Sequence, residues 1–220
     1  MSTMLYVAAK APRIGFAKTR LGNSIGHAAA TALYAAFLRD LGARFARAPF
    51  PVGWYVTPPD AWRDLDPLVG NGRQPQVIAQ GDGDWTERQR RLFHGAAARG
   101  EERVVLVASD SPHLMVEVVA DALEQLNQHD VVFGPVTDGG YYLIGMRGWH
   151  DIFGGVAMST NTVLQDLINR ADQMGLSVAL VASTFDIDEV SDLPQLQQLV
   201  RERSDLPATR AALESLGPLE

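Results

Sequence analysis

The sequence contains no cysteine, and this excludes several kinds of site at once. Without a thiol, the chain can form no disulfide, no zinc–thiolate centre and no cysteine nucleophile. Small secreted domains usually depend on disulfides, so their absence is consistent with a reducing compartment. We therefore expect a cytoplasmic protein.

Long apolar runs and an excess of positive charge are also missing. The first apolar run, residues 4–9, is far shorter than the roughly 20 residues that span a bilayer, so we expect no membrane span. The formal net charge of -7 argues against a nucleic-acid-binding protein, because such binding depends on many Lys and Arg residues. A nucleotide needs only a few local cations and often a metal ion.

The remaining composition is that of an ordinary folded domain. Hydrophobic residues make up 46% of the 220 residues and charged residues 20%. The length fits one large core, and no linker-like segment divides it. We expect a single domain over residues 1–220, in which residues 204–220 form a peripheral C-terminal helix or a frayed tail.

Short apolar runs alternate with segments of helical periodicity along most of the chain. The predicted strands cover residues 4–9, 52–57, 76–80, 103–108, 130–134, 141–146 and 177–181, and the predicted helices cover residues 28–45, 85–98, 115–126, 160–174 and 193–203. This alternation is typical of an α/β domain with three layers, helices lying on both faces of a mostly parallel sheet. Residues 136–145 join two strands by a short loop, so we expect one antiparallel pair and a mixed sheet.

The first candidate site is the loop after the first strand, which carries Lys10, Arg13, Lys18 and Arg20. Ligands of open α/β sheets bind at the carboxyl ends of strands, and these cations could hold phosphates there. A solvated basic loop explains the same residues equally well.

The second candidate site is Asp110, directly after the apolar strand 103–108. A carboxylate at the end of a central strand could bind a hard cation, and Mg²⁺ typically takes one or two protein carboxylates together with phosphates and waters. The alternative is that Asp110 or Ser111 caps the helix that follows, with Pro112 in its first turn.

Two further acidic segments come later in the chain. Asp138 precedes Gly139 and Gly140, which would let the backbone approach a ligand closely, although Asp-Gly-Gly also suits a hairpin turn. Asp186 and Asp188 alternate along an extended segment, so both could share one cation. Acids before a helix are also ordinary capping residues.

A glycine-rich turn leads from the third strand into a helix and contains Gly81, Asp82 and Glu87. Backbone amides at the start of that helix could bind an anion or a base edge. The alternative is a capped helix whose Glu87 and Arg88 face water. The five histidines have no metal-ligand or triad spacing, and we expect them to be surface or structural residues.

Taken in order, these segments resemble the bacterial transferases of glycosyltransferase-A type known as selenodomain-associated transferase 1, a family with a domain of unknown function. The resemblance runs from about Tyr6 to Leu196 and is most specific over residues 133–146. The motifs that carry it are Ala9-Lys10-Ala11-Pro12, Lys18-Thr19-Arg20-Leu21, Gly81-Asp82-Gly83-Asp84 with Glu87-Arg88, Ser109-Asp110-Ser111-Pro112, Gly134-Pro135, Asp138-Gly139-Gly140-Tyr141-Tyr142, Ser159-Thr160 and Asp186-Ile187-Asp188.

The resemblance implies a nucleotide-diphospho-sugar transferase fold and a site assembled around Mg²⁺ or Mn²⁺. It implies that Lys10, Arg13, Lys18 and Arg20 bind nucleotide phosphates. It implies that Asp110 and Asp188 hold the metal, and that Asp138 joins them on the metal or acceptor side, which gives three catalytic acids. Gly81, Asp82, Glu87, Gly139 and Gly140 complete the nucleotide-binding set.

The sequence departs from the family at two places. Ser109-Asp110-Ser111-Pro112 stands where the family usually has Thr-Asp-Cys-Pro, which keeps the acid. Trp85-Thr86 stands where the family usually has Leu-Gly, which brings a bulky ring to a turn that could recognise the base.

The resemblance thus implies a metal-dependent transferase with a nucleotide or nucleotide-sugar donor and a small-molecule acceptor. Either a glycosyl or a nucleotidyl group could be transferred. The alternative is a non-catalytic nucleotide-binding or partner-binding domain that retains the fold.

Overall fold

The computed structural model describes residues 2–70, 72, 74–158 and 160–217. Ser159, which belongs to one of the motifs above, lies outside the described residues. The strands are β1 (Thr3–Lys10), β2 (Val52–Thr57), β3 (Gln76–Ala79), β4 (Arg103–Ala108), β5 (Val131–Pro135), β6 (Tyr141–Arg147) and β7 (Val178–Leu180). The helices are α1 (Thr19–Ile25), α2 (His27–Phe45), α3 (Trp62–Val69), α4 (Trp85–Ala98), α5 (Val116–Gln125), α6 (Val163–Gln173), α7 (Leu193–Glu202) and α8 (Pro207–Ser215).

The strands form one sheet in the order β3-β2-β1-β4-β6-β5-β7. Strand β6 runs antiparallel to both of its neighbours, β4 and β5, whereas the other strand pairs are parallel. The prediction of a mixed, mostly parallel sheet is therefore confirmed. Because β6 is reversed, its first residues lie at the same edge of the sheet as the last residues of β1 and β4.

Strand β4 lies inside the sheet and is covered on both faces. Val105 and Val107 belong to the core that packs under α1, α2, α3, α5, α7 and α8. Val104 and Leu106 point to the opposite core, under α4 and α6. Successive side chains of a strand alternate between faces, so an uninterrupted apolar run is what a strand buried on both faces requires. The predicted three-layer architecture is confirmed.

Two helices were not predicted from the sequence. Helix α1 has only seven residues, and Lys18 at its N-cap makes no side-chain capping bond. Helix α3 contains Pro67 and begins after Ala61, again without a side-chain cap. Neither helix has a start signal that sequence reasoning could use; both are stabilised by packing Leu21 and Leu65 into the core.

Within the described part of the C-terminal segment, Pro207–Ser215 form a packed helix. Helix α8 buries Leu213 and Thr209, and its first turn is capped by a residue from another helix. Asp40 on α2 accepts hydrogen bonds from the backbone N–H of Ala208 (3.1 Å) and of Thr209 (2.8 Å). No helix in the described ranges has the length and apolar character needed to cross a membrane.

Candidate active site

A cavity of about 450 Å³ opens at the sheet edge where β1 and β4 end and β6 begins. Its walls come from those strands, the first turn of α1, the start of α4 and the segment before α7. The lining residues that matter for chemistry are Lys10, Lys18, Arg20, Tyr34, Gln80, Trp85, Arg88, Ser109, Asp110, Tyr141, Tyr142 and Asp188. Ligands of α/β sheets bind at this edge, so the cavity is the leading candidate for the active site.

Lys18 lies at the centre of the charged end of the cavity. Its side chain is 2% exposed, and its ammonium group forms ion pairs with Oδ1 of Asp110 and, at 2.9 Å, with Oδ1 of Asp188. It also donates to the backbone carbonyl of Ile187 at 2.6 Å. The Ile187 N–H in turn donates to the Asp110 carbonyl at 3.2 Å, which fixes the later segment to the end of β4.

The ion pairs set the charge states at this end of the cavity. Burial alone would lower the pKa of Lys18, but the attraction of Asp110 and Asp188 outweighs it and holds that pKa above its usual value. Burial would raise the pKa of Asp188, whereas Lys18 and then Arg20 hold it below its usual value. The cluster therefore keeps Lys18 protonated and Asp188 ionised at neutral pH.

Asp186 behaves differently from its neighbour Asp188. Its carboxylate accepts a hydrogen bond from the Ser111 hydroxyl and does not line the cavity. Burial, followed by repulsion from Asp110, raises the pKa of Asp186 to about 6. Asp188 thus lines the cavity, whereas Asp186 packs behind its wall, and the two acids do not face the same space.

Two more cations lie at the same end of the cavity. Arg20 is 68% exposed and reaches Glu189 at 3.0 Å and Asp188 at 3.4 Å. Lys10, the last residue of β1, is exposed on the lining. Their accessible N–H groups can bind phosphate oxygens.

Tyr34 holds the ends of β1 and β4 in place beneath these charges. Its hydroxyl accepts from the backbone N–H of Lys10 at 3.0 Å and shares a hydrogen bond with the Ser109 hydroxyl at 2.8 Å. Burial, with repulsion from Asp110, raises the pKa of Tyr34 to about 12, so the phenol stays protonated. Tyr34 lies in the middle of α2, and its sequence neighbourhood gave no sign of this role.

The other end of the cavity is aromatic and less charged. Trp85 is 36% exposed there. The Arg88 guanidinium donates to the Gly83 carbonyl at 3.0 Å and to Oε1 of the buried Gln80 at 3.1 Å. Tyr141 completes the wall and donates to Gln89 at 2.8 Å. The sequence analysis assigned neither Gln80 nor Arg88 to the site, although Glu87-Arg88 was one of the motifs that carried the resemblance.

Several residues of the predicted set lie off the lining. Arg13 is paired with Asp60 at 3.0 Å and with Asp64 at 2.6 Å, on the far side of its loop. The expectation that Arg13 contacts phosphates has no support in this geometry, because its guanidinium is already engaged by two carboxylates.

The Asp-Gly-Gly segment forms the hairpin turn that was considered as the alternative. Asp138 is exposed and accepts from the Gly140 N–H at 3.0 Å. A side chain on Gly139, whose φ is +90°, would lie 1.8 Å from the carbonyl oxygen of Asn161. The glycine thus allows the turn to approach the segment before α6, and Asp138, Gly139 and Gly140 do not line the cavity.

The turn before α4 likewise has a structural role, because it caps the first turn of that helix. Asp84 accepts from the Glu87 N–H at 2.9 Å, and the Glu87 carboxylate accepts from the Asp84 N–H at 3.1 Å, which is a capping box. Gly81 and Asp82 lie in the turn, and neither they nor Glu87 line the cavity. The backbone of this turn positions Trp85 and Arg88, which do line it.

Asp110 and Asp188 are the residues that could hold a metal ion. Within the described residues, no group of three or more His, Asp or Glu side chains is arranged to hold one. The carboxylates of Asp110 and Asp188, whose side chains are 38% and 42% exposed, both contact the Lys18 ammonium group. They suit Mg²⁺ or Mn²⁺ when phosphates and waters supply the remaining oxygens. The donor set therefore fits a cation that is shared with a nucleotide.

Comparison with known proteins identifies the family. Residues 45–160, more than half of the chain, match the family model described as an uncharacterized protein conserved in bacteria, DUF2064. The chain belongs to this family. The resemblance inferred from the sequence motifs is therefore confirmed.

Solved structures agree with this assignment. A protein of Desulfovibrio desulfuricans G20, described provisionally as a nucleotide-diphospho-sugar transferase, is 30% identical with a TM-score of 0.86, and the alignment covers 98% of this chain and 99% of that one. The CMP:2-keto-3-deoxy-manno-octonic acid synthetase solved with CTP has a TM-score of 0.58 at 11% identity over 92% of this chain and 99% of that one. At that identity the second likeness shows the fold alone.

A curated relative connects the family to nucleotide chemistry. The 2-phospho-L-lactate guanylyltransferase of Methanopyrus kandleri strain AV19 is 39% identical over 95 residues. The match covers 40% of this chain and 46% of that enzyme, so the chain spans less than half the length of this relative. This relative in sequence is thus named as a guanylyltransferase.

Proposed function

We propose that this protein is a metal-dependent nucleotidyltransferase. An oxygen of a small acceptor attacks the α-phosphorus of a nucleoside triphosphate, the bond from that phosphorus to the bridging oxygen breaks, and pyrophosphate leaves. The observation that carries the proposal is the convergence of Asp110, Asp188 and the cations of the basic loop on one cavity.

The two ends of the cavity bind different parts of the nucleotide. Lys10 and Arg20, exposed at the charged end, bind the phosphates and offset the charge that develops on the leaving group. Trp85 and Arg88 enclose the base at the other end, by stacking and by N–H groups directed to its edge. Asp110 and Asp188 hold Mg²⁺ or Mn²⁺, which neutralises phosphate charge when bound.

The test separates nucleotidyl from glycosyl transfer by their products. The purified chain is incubated with each nucleoside triphosphate or sugar nucleotide, Mg²⁺ and a panel of small phosphorylated and hydroxylated acids that includes 2-phospho-L-lactate. Pyrophosphate release supports the proposal, whereas a free nucleoside diphosphate formed from a sugar nucleotide supports glycosyl transfer. Nucleotide binding without product across the panel supports the non-catalytic domain.

A matched pair of variants tests the site itself. Asp110→Asn should abolish Mg²⁺-dependent nucleotide binding in calorimetry, because the amide lacks the charge that binds a hard cation. Asp172→Asn changes an exposed acid on α6 and serves as the control. Equal nucleotide affinity in the two variants would exclude Asp110 from the site.

The cytoplasmic location stays a prediction and is tested by cell fractionation.

A further inference from the structure

The Lys18 ammonium group is engaged by three partners inside the protein. It donates hydrogen bonds to the carbonyl of Ile187 and to Oδ1 of Asp188, and it forms an ion pair with Oδ1 of Asp110. Its side chain is 2% exposed, so it is far less accessible to a phosphate than Arg20, whose side chain is 68% exposed. The resemblance to the transferase family had implied that Lys18 binds phosphates.

The backbone also fixes Lys18 in this position. Its φ of 51° and ψ of 45° lie in the left-handed region, and it is the one non-glycine residue with a positive φ in the described part of the chain. This conformation is unfavourable for a residue with a side chain, and such strain is found where the surrounding structure holds a functional group in place. The loop therefore delivers the ammonium group to the two acids.

We propose that Lys18 is an internal counter-ion that holds Asp110 and Asp188 together and weakens the binding of a free divalent cation. The cation consequently enters together with a polyphosphate, whose negative charge compensates for Lys18. This inference rests on the proposed function, and it makes Lys18 a positioning residue rather than a phosphate ligand.

The charges at the site support this order of binding. Two carboxylates carry a charge of -2, which Lys18 at ion-pair distance from both reduces to -1. Arg20, 3.4 Å from Asp188, reduces the attraction for a cation further. Because these groups are partly shielded from water, a divalent ion beside the ammonium group is repelled more strongly than at an open surface. A bound polyphosphate adds several negative charges, so a divalent cation is then attracted to the site despite Lys18 and Arg20.

The experiment titrates Mn²⁺ alone into the nucleotide-free protein and follows free Mn²⁺ by electron paramagnetic resonance. Lys18→Met removes the charge and keeps the chain length, and it should bind Mn²⁺ at least about tenfold more tightly than the wild type. Lys18→Arg keeps the charge and should show no gain. Arg39→Met removes an exposed cation of α2 that lies outside the cavity, and it too should leave Mn²⁺ affinity unchanged.

The direction of the effect separates this role from simple structural damage. Damage to the site weakens metal binding, whereas removal of a counter-ion strengthens it. If Lys18→Met does not fold, as judged by circular dichroism, Lys18→Gln is measured in its place with the same expected gain. Unchanged or weaker Mn²⁺ affinity in the folded neutral variant would overturn the proposal.

A second titration separates this proposal from the proposed function. Wild-type protein is titrated with Mn²⁺ in the presence and absence of GTP, ATP, CTP and UTP, and the Mn²⁺ bound by each nucleotide alone is measured without protein and subtracted. One of these nucleotides should then tighten Mn²⁺ binding to the protein by at least about tenfold. If a nucleotide binds but Mn²⁺ affinity is the same without it, the counter-ion proposal fails while the proposed function stands. If no nucleotide binds, the proposed function fails, and the Mn²⁺ affinity of nucleotide-free Lys18→Met still decides the role of Lys18.

Discussion

His113 should make the stability of this protein depend on pH between about 7 and 4. Its side chain is 7% exposed, stacks on Phe185 at 4.4 Å and shares a hydrogen bond with the Thr184 hydroxyl at 2.6 Å. Burial, helped by the positive charges of Arg203 and Arg44, lowers the pKa of His113 to about 4. The folded protein thus holds a neutral imidazole where the unfolded chain binds a proton.

The sign and size of the effect follow from that difference. The unfolded histidine titrates at its ordinary value of 6.5, so the stabilising contribution is complete above that pH and is lost as the pH falls toward 4. The drop in pKa corresponds to about 3 kcal/mol, against a total stability of roughly 5–15 kcal/mol for a typical domain. Asp186, with its pKa raised to about 6, works in the opposite direction over the same range.

A comparison with His113→Gln isolates the histidine. Urea unfolding of both proteins is followed by tryptophan fluorescence at pH 7, 6, 5 and 4.5, and Asp186 cancels in the difference between them. At pH 7 the variant should be less stable by about 1 kcal/mol, because the contact with Thr184 is weakened. By pH 4.5 the wild type should have lost about 2–3 kcal/mol relative to the variant. A difference that stays constant with pH would refute the reasoning.

Three further outcomes are expected. Asp40→Ala should lower the free energy of unfolding by about 2–4 kcal/mol, because the buried N–H of Thr209 and the part-buried N–H of Ala208 lose their acceptor. Limited proteolysis should then cleave near Leu206, and Asp40→Asn, which keeps one acceptor, should lose less stability. Trp85→Leu should weaken nucleotide binding by about 1–2 kcal/mol in calorimetry, because the aromatic ring on the cavity wall is lost. Unchanged nucleotide affinity would contradict a contact between Trp85 and the base. Tyr34→Phe should lower the free energy of unfolding by about 1 kcal/mol and raise the nucleotide KM, because the ends of β1 and β4 lose the hydroxyl that joins them; an unaltered KM would show that the hydroxyl serves stability alone.

Local sequence patterns determined the sheet and the place of the site. Each of the seven strands was predicted within two residues of its observed bounds, because apolar runs between turn residues are a local property. The position of Asp110 after β4 and of the basic loop after β1 followed from the general rule for parallel sheets. Helices α1 and α3 were missed because they have no capping signal and depend on packing.

Only the tertiary structure decided which side chains meet. Arg13 and Lys18 belong to one loop, yet Arg13 pairs with acids near α3 while Lys18 reaches Asp188, 170 positions away along the chain. Strand β6 brings Tyr141 to the cavity because it is antiparallel, and the same reversal leaves Asp138 in an exposed turn.

The physical reason is that a charge in a sequence has many possible partners. Composition and periodicity indicate whether a segment forms a strand or a helix, since the spacing of its apolar residues is a local property. An ion pair depends on which loops the fold brings within a few ångströms, and on how far each is shielded from water. The sequence therefore supplied candidate acids and cations, and the fold determined that Lys18 lies between Asp110 and Asp188 whereas Arg13 and Asp138 lie off the cavity.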